Sequence, residues 1–226
     1  LARVDSNALN IMTVEDPVEY DIAGISQTQV NAKIDMTFAR ALRAILRQDP
    51  DVVMIGEIRD LETAEIAVQS SLTGHLVLAT LHTNSATASI TRLMDMGIES
   101  FLLASSLMGI LAQRLIRLLC PKCKTENHAV TNEIREELRL PQDTVVYKAV
   151  GCNYCSNTGY KGRNGIHELL IIDDHIQRMI HSREAESSIE NYAIEKLGMR
   201  TLRMDATRWL IEGKTSLEEV LTITKE

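Results

Sequence analysis

Residues 42–60 read LRAILRQDPDVVMIGEIRD, and within them an unbroken apolar run, Val52-Val53-Met54-Ile55, ends on Gly56 and a lone carboxylate, Glu57. A second stretch, TGHLVLATLHTN over 73–84, carries a mainly apolar segment, 76–81, between His75 and His82. Buried parallel strands read as continuous Val/Ile/Leu runs, and the reactive groups of α/β domains gather beyond the carboxyl ends of such strands. Both stretches therefore predict buried strands of an α/β domain. The lone acid after the first points towards nucleotide hydrolysis, although no matching phosphate-binding loop occurs in these 226 residues.

Working outward, strands are expected at 10–14, 51–55 and 76–81. Between them, 37–48 places Phe38, Leu42, Ile45 and Leu46 at helical spacing, with Arg40, Arg43 and Arg47 on other faces. Asp60 can cap a helix over 61–72, which Thr73-Gly74 closes. Further helices are predicted at 83–96 and 100–118, separated by Gly97. The apolar stretch 101–119 contains Ser105, Ser106, Gln113, Arg114 and Arg117. It falls short of the roughly 20 apolar residues that span a bilayer, and it reads as a core helix. The section 120–163 holds all four cysteines and reads as a small metal-stapled subdomain. After a short apolar run at 167–172 the tail reads as helical, its last helix opened by the capping box Ser216-Leu217-Glu218-Glu219. The expected domains are thus 1–119, 120–163 and 164–226.

A net charge of −7 and a pI near 5.4 argue against nucleic acid as a partner, because phosphate binding needs a basic surface. The same charge is also what solubility requires. The chain begins Leu-Ala-Arg, without an initiator Met or a signal-peptide pattern, so an internal fragment or a processed chain is expected.

Four segments carry candidate chemistry. VEDPVEY, 14–20, presents Glu15 and Asp16 directly after the first strand, which Pro17 ends because it has no N–H for a ladder. Magnesium needs few carboxylates besides water and phosphate, so two acids suffice; a solvated turn is the alternative. Glu57 is costly after four apolar residues unless it serves a cap, an ion pair or a site, and Arg59 and Asp60 are near enough for a purely structural turn. His75 and His82 lie at opposite ends of one strand and are unsuited to share a metal; His82 is at the reactive end, and His75 fits a cap equally well. Gly213-Lys214-Thr215 resembles a phosphate loop only superficially. Arg208 stands where the required earlier glycine would be, and a helix-ending turn is expected there.

Cys120-Pro-Lys-Cys123 and Cys152-Asn-Tyr-Cys155 are two CxxC pairs separated by residues 124–151. Two such hairpins close a tetrahedral four-thiolate site, with zinc the expected ion and a structural role because no position stays open. A redox-active CxxC is the competing reading.

VEDPVEY, DPDVVMIGEIRD, TGHLVLATLHTN and the CPKC/CNYC pairs, in that order, resemble the aspartate box, Walker B strand, histidine box and tetracysteine motif of type II secretion and type IV pilus assembly ATPases. The resemblance covers essentially the whole chain. It implies a RecA-like P-loop NTPase core with the Walker A strand and loop missing, followed by a zinc subdomain and a helical C-terminal region. It implies ATP, Mg2+ and Zn2+ as cofactors and Glu57 acting on the attacking water or the magnesium shell. Glu15 and Asp16 would share the roles of general base and metal-water ligand. His82 would contact the γ-phosphate, with His75 in support and Arg59 near the nucleotide. Gly56 stands where many P-loop proteins have aspartate, which raises the importance of Glu15 and Asp16. An arginine acting in trans would come from among Arg40, Arg43, Arg47 and Arg59. The resemblance further implies a cytoplasmic homo-hexamer, peripheral at the inner membrane through platform and cytoplasmic-domain partners, that powers secretion by driving pseudopilus assembly. Retraction motors of the family generally lack the tetracysteine element, which leaves secretion and pilus assembly as the two branches. With no loop to cradle phosphates, this stretch alone is expected to bind ATP poorly and hydrolyse almost none. A non-catalytic zinc-stapled interaction module is the reading of a different class.

Overall fold

The computed structural model describes Leu1 and residues 4–223; the helical expectation for 224–226 lies outside the described residues. In chain order the elements are β1 (Ile11–Glu15), β2 (Ser26–Gln29), α1 (Phe38–Ile45), β3 (Val52–Ile55), α2 (Leu61–Leu72), β4 (Leu76–Ala79), α3 (Ala86–Asp95) and α4 (Ser100–Ser106). There follow β5 (Gly109–Leu119), β6 (Thr125–Glu126), α5 (Asn132–Glu137), β7 (Tyr147–Lys148), β8 (Tyr160–Ile171), α6 (Asp174–His181), α7 (Glu186–Leu197), α8 (Leu202–Ile211) and α9 (Leu217–Ile223). They form two compact units, each discontinuous in sequence: 1–83 with 88–108 and 172–186, and 84–87 with 109–171 and 187–226.

The first unit is built on a parallel sheet of order β2-β1-β3-β4. Ile11, Val14, Val52, Val53 and Ile55 on its inner strands are buried, as continuous apolar runs require. α1 buries Phe38, Leu42 and Ile45, and Thr37 caps it by accepting the Arg40 N–H at 3.2 Å. Asp60 caps α2 through the Thr63 N–H at 2.8 Å, as its sequence position predicts.

One strand expectation needs correction, and one strand had no expectation at all. β4 pairs only with β3 among the described residues, and Leu76 and Leu78 are 44% and 40% exposed, so this strand is an edge and not a buried one. β2 was invisible in sequence because Ser26-Gln27-Thr28-Gln29 has no apolar pattern, yet it pairs with β1 in register, Thr13 opposite Gln27.

The predicted helix 100–118 is the main error. The helix stops at Ser106, Leu107 is extended (φ −76°, ψ 130°), and Gly109–Leu119 is a strand. It pairs antiparallel with β8 from Gly109 opposite Ile171 to Leu119 opposite Tyr160. Ile116 and Ile166 fill the inner face of this ribbon, against Leu202, Leu210 and Val220. The outer face carries Leu111, Leu115, Leu169 and Ile171, all about half exposed. With apolar residues on both faces the period of two is masked, and the run mimics a buried helix.

The C-terminal region after β8 is helical, as expected. Ser216 does cap α9, its Oγ accepting the Glu219 N–H at 3.2 Å. The return half of the predicted box is replaced. Glu219 is turned to Arg117, accepting the backbone N–H at 2.8 Å and the guanidinium at 2.8 and 2.7 Å. Gly213-Lys214-Thr215 is a helix-ending turn: Gly213 has φ +63°, Lys214 pairs with Glu212, and Thr215 donates to the Arg117 carbonyl at 2.9 Å.

Candidate functional site

Because β1, β3 and β4 are adjacent and parallel, their carboxyl ends lie side by side. They deliver Glu15 and Asp16, then Gly56, Glu57 and Arg59, then Thr80 and His82 to one edge of the sheet. Gly56 makes the closeness possible. Its N–H donates to the Val14 carbonyl at 2.7 Å, and a Cβ there would stand 3.1 Å from that oxygen and 3.2 Å from Glu15 Cα. Any side chain at this position would press on the backbone of β1.

Glu57 is 13% exposed and is held from two sides, by a short hydrogen bond from Arg59 and by His82 Nε2 at 3.3 Å from Oε2. The Arg59 hydrogen bond is the main reason its carboxyl lies below the ordinary Glu range; partial burial pushes the other way, and His82 adds to the lowering. Arg59 is held up in turn, chiefly by Glu57 and also by the charge of Asp16. Thr80, which sequence reasoning missed, ties the two strand ends together: its hydroxyl donates to the Gly56 carbonyl, and its own carbonyl accepts the Ile58 N–H at 3.0 Å. A hydroxyl within an apolar strand was the available signal.

Glu57, Arg59, Asp16 and His82 are thus one electrostatic cluster, with Asp16 and His82 exposed. Glu15 is engaged within the sheet, its Oε1 accepting Thr13 Oγ1 at 2.5 Å and Gln27 Nε2 at 2.9 Å. His75 is not brought to the cluster. It sits at the opposite end of β4, its Nδ1 2.9 Å from the Ser70 carbonyl and 3.2 Å from Thr73 Oγ1, where it closes the end of α2.

In the second unit Cys120, Cys123, Cys152 and Cys155 place their sulfurs within 4.8 Å of one another. The closest pairs are 3.8 and 3.9 Å apart. Thiolates about 2.3 Å from one tetrahedral ion lie about 3.8 Å from each other, so the donor set fits a metal. Backbone N–H groups of Gly151, Cys152 and Gly159 point at the sulfurs at 3.2–3.3 Å. Burial pushes the Cys123 thiol up to about 11. Burial also opposes ionisation of Cys155, but the Cys152 and Gly159 N–H groups, together with hydrogen bonds from the Cys152 and Cys123 side chains, draw that thiol down to about 6. Four thiolates this close repel strongly unless a cation joins them.

A parallel sheet with acidic, basic and imidazole groups gathered past its strand ends is an α/β arrangement of the kind in which ligands bind beyond the carboxyl ends of the strands. Within that class the chain belongs to the family described as Type II/IV secretion system protein, which matches residues 1–222. It is 58% identical over 226 residues to the type II secretion system protein HxcR of Pseudomonas aeruginosa, covering 100% of this chain and 45% of that protein. It is 56% identical over 228 residues to the type II secretion system ATPase E of Vibrio cholerae, again 100% of this chain and 45% of the relative. The chain therefore spans less than half the length of these curated relatives. Among solved structures it resembles the pilus retraction motor PilT with bound ADP (TM-score 0.69, 27% identity, 96% of this chain and 53% of that one). The Legionella pneumophila ATPase DotB shares the fold (TM-score 0.66, 18% identity, 97% and 52%). No helix among the described residues is long and apolar enough to cross a membrane.

Proposed function

We propose that this chain is part of a cytoplasmic ATPase, peripheral at the inner membrane, that powers protein secretion through a type II machine by driving pseudopilus assembly. The observation that carries this reading is the Glu57 cluster at the carboxyl ends of β1, β3 and β4, on a chain that the family matches over residues 1–222. Glu57, kept ionised by Arg59, orients the attacking water, and His82 stands at the mouth of the site to meet the terminal phosphate. Asp16, exposed beside Arg59, is the acid best free to hold a water of a magnesium shell; Glu15 sets the strand end from which Asp16 projects. Magnesium, when bound with ATP, supplies charge neutralisation for the phosphates. Zinc on the four cysteines is structural, tying the hairpin 120–123 to 152–155. The active form is a homo-hexamer acting with inner-membrane platform and cytoplasmic-domain proteins, and an arginine from a neighbouring copy completes each site.

The unpaired edge of β4, with Leu76 and Leu78 exposed, offers a further parallel strand a place to pair, as a Walker A strand from the rest of a longer protein would. The phosphates then depend on that part, and the 226-residue stretch alone hydrolyses almost no ATP. The test compares ATP hydrolysis by this chain and by the longer protein, each with and without Glu57→Gln. Activity in the longer protein alone, abolished by Glu57→Gln, is expected. No activity in either overturns the reading and leaves a zinc-stapled interaction module.

A further inference from the structure

Gln27 stands opposite Thr13 in the parallel pairing of β1 and β2, and Glu15 follows Thr13 by two residues, so the three side chains share one face of the sheet. There Glu15 Oε1 accepts Thr13 Oγ1 at 2.5 Å and Gln27 Nε2 at 2.9 Å. The same amide also reaches the loop that joins the two strands. Its Nε2 donates to the Tyr20 carbonyl at 3.0 Å, and its Oε1 accepts the Ile22 N–H at 2.8 Å. Two acceptors meet the nitrogen and one donor meets the oxygen, so only this orientation of the amide satisfies all three partners. Gln29, two residues along β2, accepts the Val18 N–H at 3.3 Å. Three backbone points of 18–22 thus hang on two glutamines, and the polar sequence of β2 serves this loop instead of a core.

Asp16 lies between these fixed points. Before it, Glu15 is bound through its side chain, and the Glu15 carbonyl accepts the Val30 N–H at 2.9 Å. After it, Val18 is held by Gln29. Asp16 itself is exposed, and its charge reaches Arg59. Every residue in this chain of contacts belongs to the first compact unit. We propose that Gln27 is a positioning residue: by joining Glu15 to the loop 18–22 it sets where the Asp16 carboxylate stands at the end of β1. This inference rests on the reading of Asp16 as the acid that holds a water of the magnesium shell.

Gln27→Met keeps an unbranched side chain of similar length but removes the amide donors and acceptor. Two measurements on the full-length protein test its role. Without nucleotide or metal, amide hydrogen exchange over 18–22 is expected to rise about tenfold, as the loss of local hydrogen bonds requires, while β3 keeps its protection. In single-turnover ATP hydrolysis, the Mg2+ concentration that gives half the maximal rate is expected to rise about tenfold, with little change in KM for ATP at saturating Mg2+. Asp16→Asn should raise the Mg2+ requirement by itself, and Gln27→Met should then add nothing further. Unchanged exchange over 18–22, an unchanged Mg2+ requirement, or an equal shift on top of Asp16→Asn overturns the proposal. A parental Mg2+ requirement for Asp16→Asn alone removes the reading beneath it, and is told apart because residue 27 is untouched. Should Gln27→Met not fold, Gln29→Ala, an exposed change that releases the Val18 N–H, is taken through the same cycle, and a parental Mg2+ requirement there overturns the proposal.

Discussion

Arg59 donates to Glu57 from two residues along the same turn, and this pair sets the charge at the carboxyl end of β3. The hydrogen bond holds the Glu57 carboxyl below its ordinary value of 4.5. A carboxyl whose folded pKa is depressed stabilises the fold at every pH above its unfolded pKa, and that contribution is lost as pH falls through the folded value. The pair should therefore persist at neutral pH and fade only below about pH 4. Arg59→Ala removes the largest cause of the depression, and the Glu57 titration, followed by carboxyl NMR, should move upward. An unchanged midpoint would mean that the pair does not set the charge of this acid.

The close approach of β1 and β3 at Gly56 makes a second prediction. An added methyl would meet the Val14 carbonyl and Glu15 Cα, both backbone atoms that cannot swing aside. Gly56→Ala should cost about 1–3 kcal/mol, read as a lower urea midpoint at constant slope. A midpoint equal to that of the parent would show that the strands accommodate a side chain, and that glycine here is not a packing requirement.

His75 and His82 should separate cleanly in mutagenesis. His75 closes α2 through Ser70 and Thr73, so His75→Ala should lower stability by about 1 kcal/mol and leave hydrolysis in the longer protein within about twofold. His82 is 90% exposed and touches Glu57, so His82→Ala should do the reverse. Loss of hydrolysis in His75→Ala at unchanged stability would contradict the placement of His75 outside the cluster.

Much of this was legible in the sequence, for definite reasons. Val52, Val53 and Ile55 of the run 52–55 are buried, and such runs announce central strands. Cys spacing foretold the four clustered sulfurs, and the strand pattern placed Glu15, Asp16, Glu57 and His82 past the strand ends. What was hidden had no local signature. β4 looked central by its residues, but an edge is defined by what pairs with it. β5 showed apolar residues on both faces and so lost its alternation. Glu219 satisfied the letter of a capping box, while its carboxylate found Arg117, a partner 102 positions away.

For the cysteines the expectation is one zinc per chain, measured by elemental analysis, with Cys152→Ser and Cys123→Ser each lowering the metal content sharply. Chelation should lower the melting temperature and preferentially raise amide exchange over 120–126 and 147–160, because metal binding to such a site contributes directly to folding. Full thermal stability after complete metal removal would assign the hairpins' order to their own packing.

Arg117 and Glu219 differ in how they would fare alone. The Glu219 side chain is 3% exposed and that of Arg117 is 54% exposed. When Glu219→Gln removes the charge, the guanidinium can turn to water, and the loss should be about 1–3 kcal/mol. When Arg117→Met removes the guanidinium but keeps an apolar stem over Tyr160, where the arginine now lies 4.1 Å from the ring centre, Glu219 stays buried without its ion partner. That stranded carboxylate should cost more, about 3–5 kcal/mol. The order of the two losses in urea unfolding is the decisive reading. A larger loss for Glu219→Gln would show that α9 depends on this carboxylate mainly through the Arg117 backbone N–H, which both variants leave in place but only the glutamate binds at full strength.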